Sequence, residues 1–328
     1  MKVAFDGSCL ADLGPRGVGR AFLNALGPYC EMADEPPVLL LPAQSPVPPI
    51  ARLSIVEAPR AALPRQLALP RLLRRIGARV FHSPVAALPL LAPCPCVATA
   101  HDLPWMHGES GERTSARRRW ATSLSFARAD AILAPSEFTA SAVRRIAGSR
   151  DKVRVVPHGI GCGGDPPSAE RSGPFVAIGD SRTRKNRSRI AAAHARARAI
   201  RPGIPSLRFV GPPDDWVSED EKRRLLGRCR AAVQCSLFEG FGLPVLEALA
   251  AGAPLLCSDI PPFREVAGDA ALFVDPRDEE AIAEALLRLD EDEELRGRLS
   301  AAGPRRAALF PAKSVAEAWS ALHRELSR

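Results

Sequence analysis

Ser236-Leu-Phe-Glu-Gly-Phe-Gly-Leu-Pro-Val-Leu-Glu-Ala-Leu-Ala-Ala-Gly252 decides how the rest of the chain is read. It follows an apolar run, Ala231-Ala-Val-Gln-Cys235, that predicts a short buried strand. An apolar helix is expected to begin near Pro244, since proline fits the first helical turn, where its missing N–H had no partner. Gly252 is placed to end that helix in a left-handed conformation. Glu239 then lies in the loop before the helix and Glu247 in its first turn, beside a helix N-terminus whose unpaired N–H groups favour anions. Gly240 and Gly242, around Phe241 and ahead of Leu243, let a ligand approach the backbone without a Cβ in the way. Bare N–H groups beside two acidic acceptors suit a ligand that is part phosphate and part polyol, such as a nucleotide-sugar. Both glutamates can also be read as simple helix caps, a reading that fits Glu247 better than Glu239.

Working outward, 328 residues leave room for about two domains. An apolar fraction of 46% and a charged fraction of 25% are those of a globular protein. Apolar runs are short and broken by Pro, Arg or Gly, so no membrane-spanning segment is expected. Residues 1–8 reach an aspartate at once, which predicts a first strand rather than a secretion signal and a cytoplasmic protein. None of the eight cysteines forms a C-x2-C pair with histidines at zinc spacing, so reduced thiols and no metal site are expected. The net charge of +8 attracts anions, but a single tyrosine and no interleaving of aromatic with basic residues argue against nucleic acid.

Along the chain, strands and helices alternate, which predicts parallel sheets covered by helices. Gly14-Pro-Arg-Gly17-Val-Gly19-Arg20 reads as a glycine-rich loop feeding a helix from Ala21 to Leu26. That loop is either a phosphate cradle or a tight turn. Six arginines and no acid lie between Arg60 and Arg79 among leucines. They form a basic segment that suits an anionic membrane surface or a solvated helix face, and Pro64 and Pro70 are expected to shorten any helix there. The strand Cys96–Ala100 ends at His101-Asp102, where the carboxyl ends of strands face the ligand crevice in open α/β sheets. Gly, Pro and Ser dominate from Gly159 to Pro174, as in an interdomain linker. After the strand Phe175–Ile178 comes Gly179-Asp-Ser-Arg-Thr-Arg184-Lys185-Asn186, whose cations suit a diphosphate. Val315, Trp319 and Leu322 give the last helix an apolar face.

The spacing from Glu239 to Glu247 around Gly-Phe-Gly-Leu-Pro resembles the E-x7-E signature of the retaining GT-B glycosyltransferases of family 4. His101-Asp102, Gly17-Val-Gly19-Arg20 and Arg184-Lys185-Asn186 resemble further elements of that family. The resemblance implies an α/β fold of GT-B type, two doubly wound Rossmann-like domains facing a cleft. Residues 1–160 would form the acceptor-side domain, 161–174 the linker, 175–308 the nucleotide-sugar domain, and 309–328 a helix crossing back to the first domain, anchored by Phe310 and Trp319. It implies transfer of a hexose, mannose in the first instance, from a nucleoside-diphosphate donor to a hydroxyl with retention of anomeric configuration. No cofactor beyond the donor is implied. The acceptor would be a saccharide or a lipid-linked sugar in cell-surface polysaccharide or glycolipid synthesis, with peripheral contact at the inner face of the membrane.

In the implied site, His101 orients the reacting sugar beside Asp102 and Glu239 contacts the donor sugar. The Gly240–Leu243 backbone holds sugar and phosphates, Glu247 the ribose, and Arg184 and Lys185 the diphosphate, while Gly17 and Gly19 border the cleft. Glu239→Ala is accordingly expected to lower transfer and leave the melting temperature nearly intact. Two departures stand out. Arg182-Thr183 replaces the family's usual Glu-Pro, and one strand (206–211) appears where two strands and a helix are usual, shortening the nucleotide domain by one βα unit. That shortening keeps open a second reading, a catalytically silent protein that binds a sugar-nucleotide or a partner.

Overall fold

The computed structural model describes residues 1–11, 17–108, 111–112, 114–148, 150–161, 171–212 and 215–328. Gly14, Pro15 and Arg16 of the glycine-rich loop, and 162–170 of the expected linker, lie outside the described residues. The chain divides into two compact units, one of residues 1–103, 114–161 and 311–328, the other of 104–113 and 162–310.

The first unit is a seven-stranded parallel sheet in the order β3-β2-β1-β4-β5-β6-β7. Its strands are β1 (Val3–Asp6), β2 (Val38–Pro42), β3 (Ser54–Ala58), β4 (Val80–Ser83), β5 (Cys96–Thr99), β6 (Ala131–Ala134) and β7 (Val153–Val155). Strands β1, β2, β4, β5 and β6 are buried throughout, as expected of near-continuous apolar runs covered on both faces. The helices are α1 (Gly17–Met32), α2 (Ala62–Ile76), α3 (Ala116–Arg128), α4 (Glu137–Arg144) and, from the end of the chain, α11 (Ala312–Leu326). Ser136 caps α4 by accepting from the Thr139 N–H. Trp319 of α11 packs beside Phe5, Phe22, Tyr29 and His82, all buried.

Two expectations are corrected here. Gly17 and Gly19 are not in a loop before the helix, because α1 begins at Gly17. The cost of about 1 kcal/mol for each helical glycine is offset by burial of Phe22, Ala25, Leu26 and Tyr29 on the same helix. Nor do the prolines shorten α2. Pro64 lies in the first turn, where no N–H is missed, and Pro70 is accommodated inside a 15-residue helix.

The second unit is a five-stranded parallel sheet in the order β12-β11-β10-β8-β9. It comprises β8 (Phe175–Ile178), α5 (Arg187–Ile200), β9 (Leu207–Val210), α6 (Glu219–Arg228), β10 (Ala231–Gln234), α7 (Leu243–Ala250), β11 (Leu255–Ser258), α8 (Pro261–Ala267), β12 (Leu272–Val274), α9 (Glu279–Glu291) and α10 (Glu293–Ala307). Its core gathers Phe175, Ile190, Val233, Leu256, Ile282, Leu286 and Leu289. Phe310 stacks edge-on against Phe241 in this second unit, so it does not anchor α11 as expected. Strand order reverses between β8 and β10, and at such a switch point the loops leaving the two strands splay apart and open a crevice.

Candidate functional site

The loops at that switch point carry the charged residues singled out in the sequence. Beyond β8 the chain turns at Gly179, whose φ is +155°. A Cβ there would meet the aliphatic stem of Lys185 at 3.1 Å, so the glycine clears the path of that side chain. A short 3₁₀ turn, Thr183–Lys185, then brings Arg184 inward, and Asn186 ends it with φ +58°. The Asn186 amide donates to the carbonyls of Cys235 at 2.9 Å and Pro276 at 2.7 Å, and Leu237 N–H donates to the Arg184 carbonyl at 2.8 Å. The loop after β8 is therefore stitched to the loop after β10.

Glu239 is the centre of what these stitches hold. Lys185 Nζ lies 2.6 Å from one carboxylate oxygen and Arg184 lies 3.3 Å from the other. Burial alone would push the Glu239 carboxyl up, but Lys185, Arg184 and the Ser236 hydroxyl outweigh it and hold the group below its usual range, so it is ionised at neutral pH. Arg184 also makes an ionic contact of 2.9 Å through Nε with Glu112. A small recess beside Lys185 is lined by Gly179, Arg187, Phe209, Gln234 and Ser236.

The rest of the motif departs from expectation in two places. Gly242 sits at φ +105° as the N-cap of α7, and its missing Cβ is needed for the Phe263 ring, which would lie 2.6 Å away. It serves packing as well as backbone freedom. Gly240, Phe241 and Leu243 are buried beside it. Glu247 is the fifth residue of a helix that starts at Leu243, beyond the first turn, so it does not act on the N-terminal dipole. It is bonded to Lys222 of α6 instead, with Nζ 2.8 Å from both of its oxygens. Gly252, at φ +62°, does take the left-handed conformation predicted after α7.

In the first unit, His101 lies just past β5. Its Nε2 donates to the Pro84 carbonyl at 2.7 Å, which leaves Nδ1 of the neutral ring to accept from His158 Nε2 at 3.0 Å. Burial lowers the pKa of His101, against opposing contributions from the Pro84 carbonyl and Asp102. Burial and the neighbouring His101 lower that of His158 well below the usual value. Both nitrogens of the neutral His101 ring are thus engaged, which fixes its orientation at the end of β5. Asp102 follows it, half-buried. Gly17 and Gly19 form the first turn of α1, where Gly19 is buried.

Sequence reasoning missed His158, Lys222 and Glu112. For His158 a signal existed, since Pro157-His158-Gly159 closes a strand as His101 does. Among the described residues, no group of three or more His, Cys, Asp or Glu side chains is placed to hold a metal ion, and the described cysteines are unpaired. No described helix is long and apolar enough to cross a membrane.

Residues 29–162 match the family model Glycosyltransferase Family 4, and residues 215–306 match Glycosyl transferases group 1. The chain is 36% identical over 104 residues to O-antigen chain mannosyltransferase B of Escherichia coli, a match covering 32% of this chain and 26% of that protein. It is 40% identical over 75 residues to O-antigen chain mannosyltransferase RfbU of Salmonella typhimurium, covering 23% of this chain and 21% of that one. These matches span about a quarter of the length of either relative. Among solved structures, sucrose-phosphate synthase of Thermosynechococcus elongatus superposes with a TM-score of 0.80 at 19% identity, covering 99% of this chain and 98% of that one. Anabaena HepE, solved with UDP and glucose, gives 0.75 at 15% identity, covering 99% of this chain and all of that one (100%). The chain has the GT-B fold, and the two family matches, one in each half, support a GT-B glycosyltransferase.

Proposed function

We propose that the protein transfers a hexosyl group, mannosyl in the first instance, from a nucleoside-diphosphate donor to a hydroxyl of a saccharide or lipid-linked acceptor, with retention of anomeric configuration. The observation that carries this reading is the ionised Glu239 held by Lys185 and Arg184 at the β8–β10 switch point. When the bond between sugar and diphosphate breaks, negative charge grows on the departing phosphate. Two fixed cations favour that charge where it develops. They supply the positive charge themselves, so the proposal includes no cofactor beyond the donor. Glu239 takes hydrogen bonds from donor-sugar hydroxyls, Glu247 from the ribose, and the Gly240–Leu243 backbone borders both. His101, with Asp102, orients the reacting sugar, and the first turn of α1 at Gly17 and Gly19 borders the acceptor. These roles rest on the resemblance of the motifs and on the placement of the charges.

The mannosyl donor and the cell-surface or glycolipid product are supported by the names of the curated relatives. The proposal places the protein in the cytoplasm with peripheral contact at the membrane. The outward side of α2 supports that contact, exposing Leu63 and Leu67 in line with Arg71 and Arg74.

Thermal unfolding with GDP, UDP, ADP and dTDP, each at one concentration, tests the reading. At about 100 times its dissociation constant a true ligand adds about 2.7 kcal/mol. One nucleotide is expected to stand out, to lose its effect in Lys185→Ala, and to direct transfer assays in which the anomeric proton signal of the product reports retention. If no nucleotide stabilises the protein, the reading as a catalytically silent partner-binding protein takes its place. The single strand β9 beyond β8 is the feature that favours it.

A further inference from the structure

The two acids of the Glu239–Glu247 pair are not alike in sequence surroundings, yet each is matched to a lysine from another element. Lys185, from the loop after β8, serves Glu239. Lys222, from the first half of α6, serves Glu247. The second pairing matches no motif found in the sequence. Lys222 Nζ lies 2.8 Å from both Glu247 oxygens and 2.9 Å from Glu219, and the Lys222 and Glu247 side chains are only 14% and 13% exposed.

We propose that Lys222 is the positioning residue of Glu247, so that the lysine–carboxylate pair together reads the vicinal hydroxyls of the donor's ribose; this rests on the donor reading above. Glu247 is a flexible side chain on a helix surface, and a single hydrogen bond would leave its carboxylate plane free to turn. An ammonium in contact with both oxygens ties the carboxylate head in place more firmly than one such bond would. It also offsets charge. A lone carboxylate beside a diphosphate would repel the ligand it is meant to hold, and a cation in contact with it removes most of that repulsion. Glu219 shares the same ammonium, and Ser218 secures the start of α6 by accepting from the Glu221 N–H. The lysine therefore leaves a helix whose first turn is fixed. Its four-carbon stem would otherwise sweep a wide volume, and partial burial against Glu247 confines it.

A lysine that merely fastens α6 to α7 would show the same distances, so the test must read ribose recognition rather than stability. Of UDP, GDP and ADP, the one that binds the wild type most tightly is titrated calorimetrically alongside its 2′-deoxy counterpart. The wild type is expected to favour the ribose form by about tenfold, the loss of roughly one charge-assisted hydrogen bond. Lys222→Met is expected to reduce that preference to less than threefold and to add nothing to it in a Glu247→Gln background. Lys222→Arg is expected to restore most of it. If Lys222→Met weakens both nucleotides equally and keeps their ratio while Glu247→Gln abolishes it, Lys222 is a fastener and the inference falls. If Glu247→Gln itself leaves the ratio unchanged, the ribose role of Glu247 is wrong and the inference falls with it. If no nucleotide binds the wild type, the donor reading has failed first. The preference is a ratio measured on one folded sample, so a drop in melting temperature does not mimic the expected result.

Discussion

Glu239 shows what burial does to a motif residue. On an exposed loop its removal would hardly alter folding, which is the expectation the sequence supports. In the structure it is 7% exposed and bonded to Arg184, which is buried, and to Lys185, which is partly buried. Glu239→Ala leaves those two cations facing each other with their shared partner gone, and breaking a buried pair in this way costs about 3–5 kcal/mol. Urea unfolding at pH 7 is expected to show a loss of that order, alongside the loss of transfer. The pH dependence has a definite sign. The folded carboxyl titrates below its usual value, so its contribution is complete above the ordinary carboxylate range and is lost as pH falls through the folded value. The stability gap between wild type and Glu239→Gln is therefore expected to be full at pH 7 and to close in acid below about pH 4. Spacing made Glu239, Arg184 and Lys185 legible as candidates, because turn residues and charges cluster in the sequence where they cluster in space. It could not show that they neutralise one another, nor that Glu112 reaches Arg184 across 72 positions (184 − 112), since ion pairs between distant segments leave no local pattern.

Helix α11 was legible as an amphipathic helix, and Trp319 as part of its apolar face, but its polar contact was not. His323 lies on that buried face and joins a chain of side chains within the first unit. Tyr29 Oη is 2.9 Å from His323 Nδ1, His323 Nε2 is 3.1 Å from His82 Nδ1, and His82 Nε2 is 3.2 Å from Thr99 Oγ1. Every link is satisfied with both rings neutral, as buried polar groups require. Burial lowers the His323 pKa to about 3, and burial together with His323 lowers that of His82 well below its usual value. In the unfolded chain both titrate near pH 6.5. The unfolded state thus takes up protons that the folded state refuses, and stability falls as pH drops below that value by about 1.4 kcal/mol per pH unit for each histidine. Chemical unfolding of the first unit at pH 7.5 and 5.5 is expected to show this slope, and His323→Phe to make it shallower by one histidine's share. An unchanged slope in that variant would mean that His323 does not hold α11 as a neutral group. At the start of α1 and at the prolines of α2, local propensity argues against the helix that forms. Burial of one face overrode it in both cases.

At the scale of the whole molecule, chain order and unit membership part company at the C-terminus. The second unit ends at Phe310 and the last eighteen residues, 311–328, belong to the first. The approach is close: a Cβ on Gly159 would lie 2.6 Å from the Ala312 backbone, which demands glycine there, and Asn24 donates to the Gly159 carbonyl at 3.0 Å. Val315, Ala316, Trp319 and Leu322 are each at most 6% exposed within the core that also holds Phe5, Phe22 and Tyr29. The alternation of strands and helices made two sheets readable from the sequence. The order of the strands, and the return of the last helix to the first sheet, depend on which apolar surfaces meet, and only the folded chain shows that. The consequence is asymmetric. Ending the chain after Phe310 removes four large or closely packed apolar groups from one core, at about 1.5–3 kcal/mol for each of the larger side chains, and leaves the second unit's core intact. A domain's whole stability is of the order of 5–15 kcal/mol, so the first unit is expected to lose its cooperative transition in calorimetry. The second, which carries Arg184, Lys185, Glu239 and Glu247, is expected to keep its own transition and still to be stabilised by whichever nucleoside diphosphate stabilises the full chain. A truncated protein that retains both transitions would show that α11 is dispensable to the first core. One that loses both would show that the two units fold as a single cooperative body.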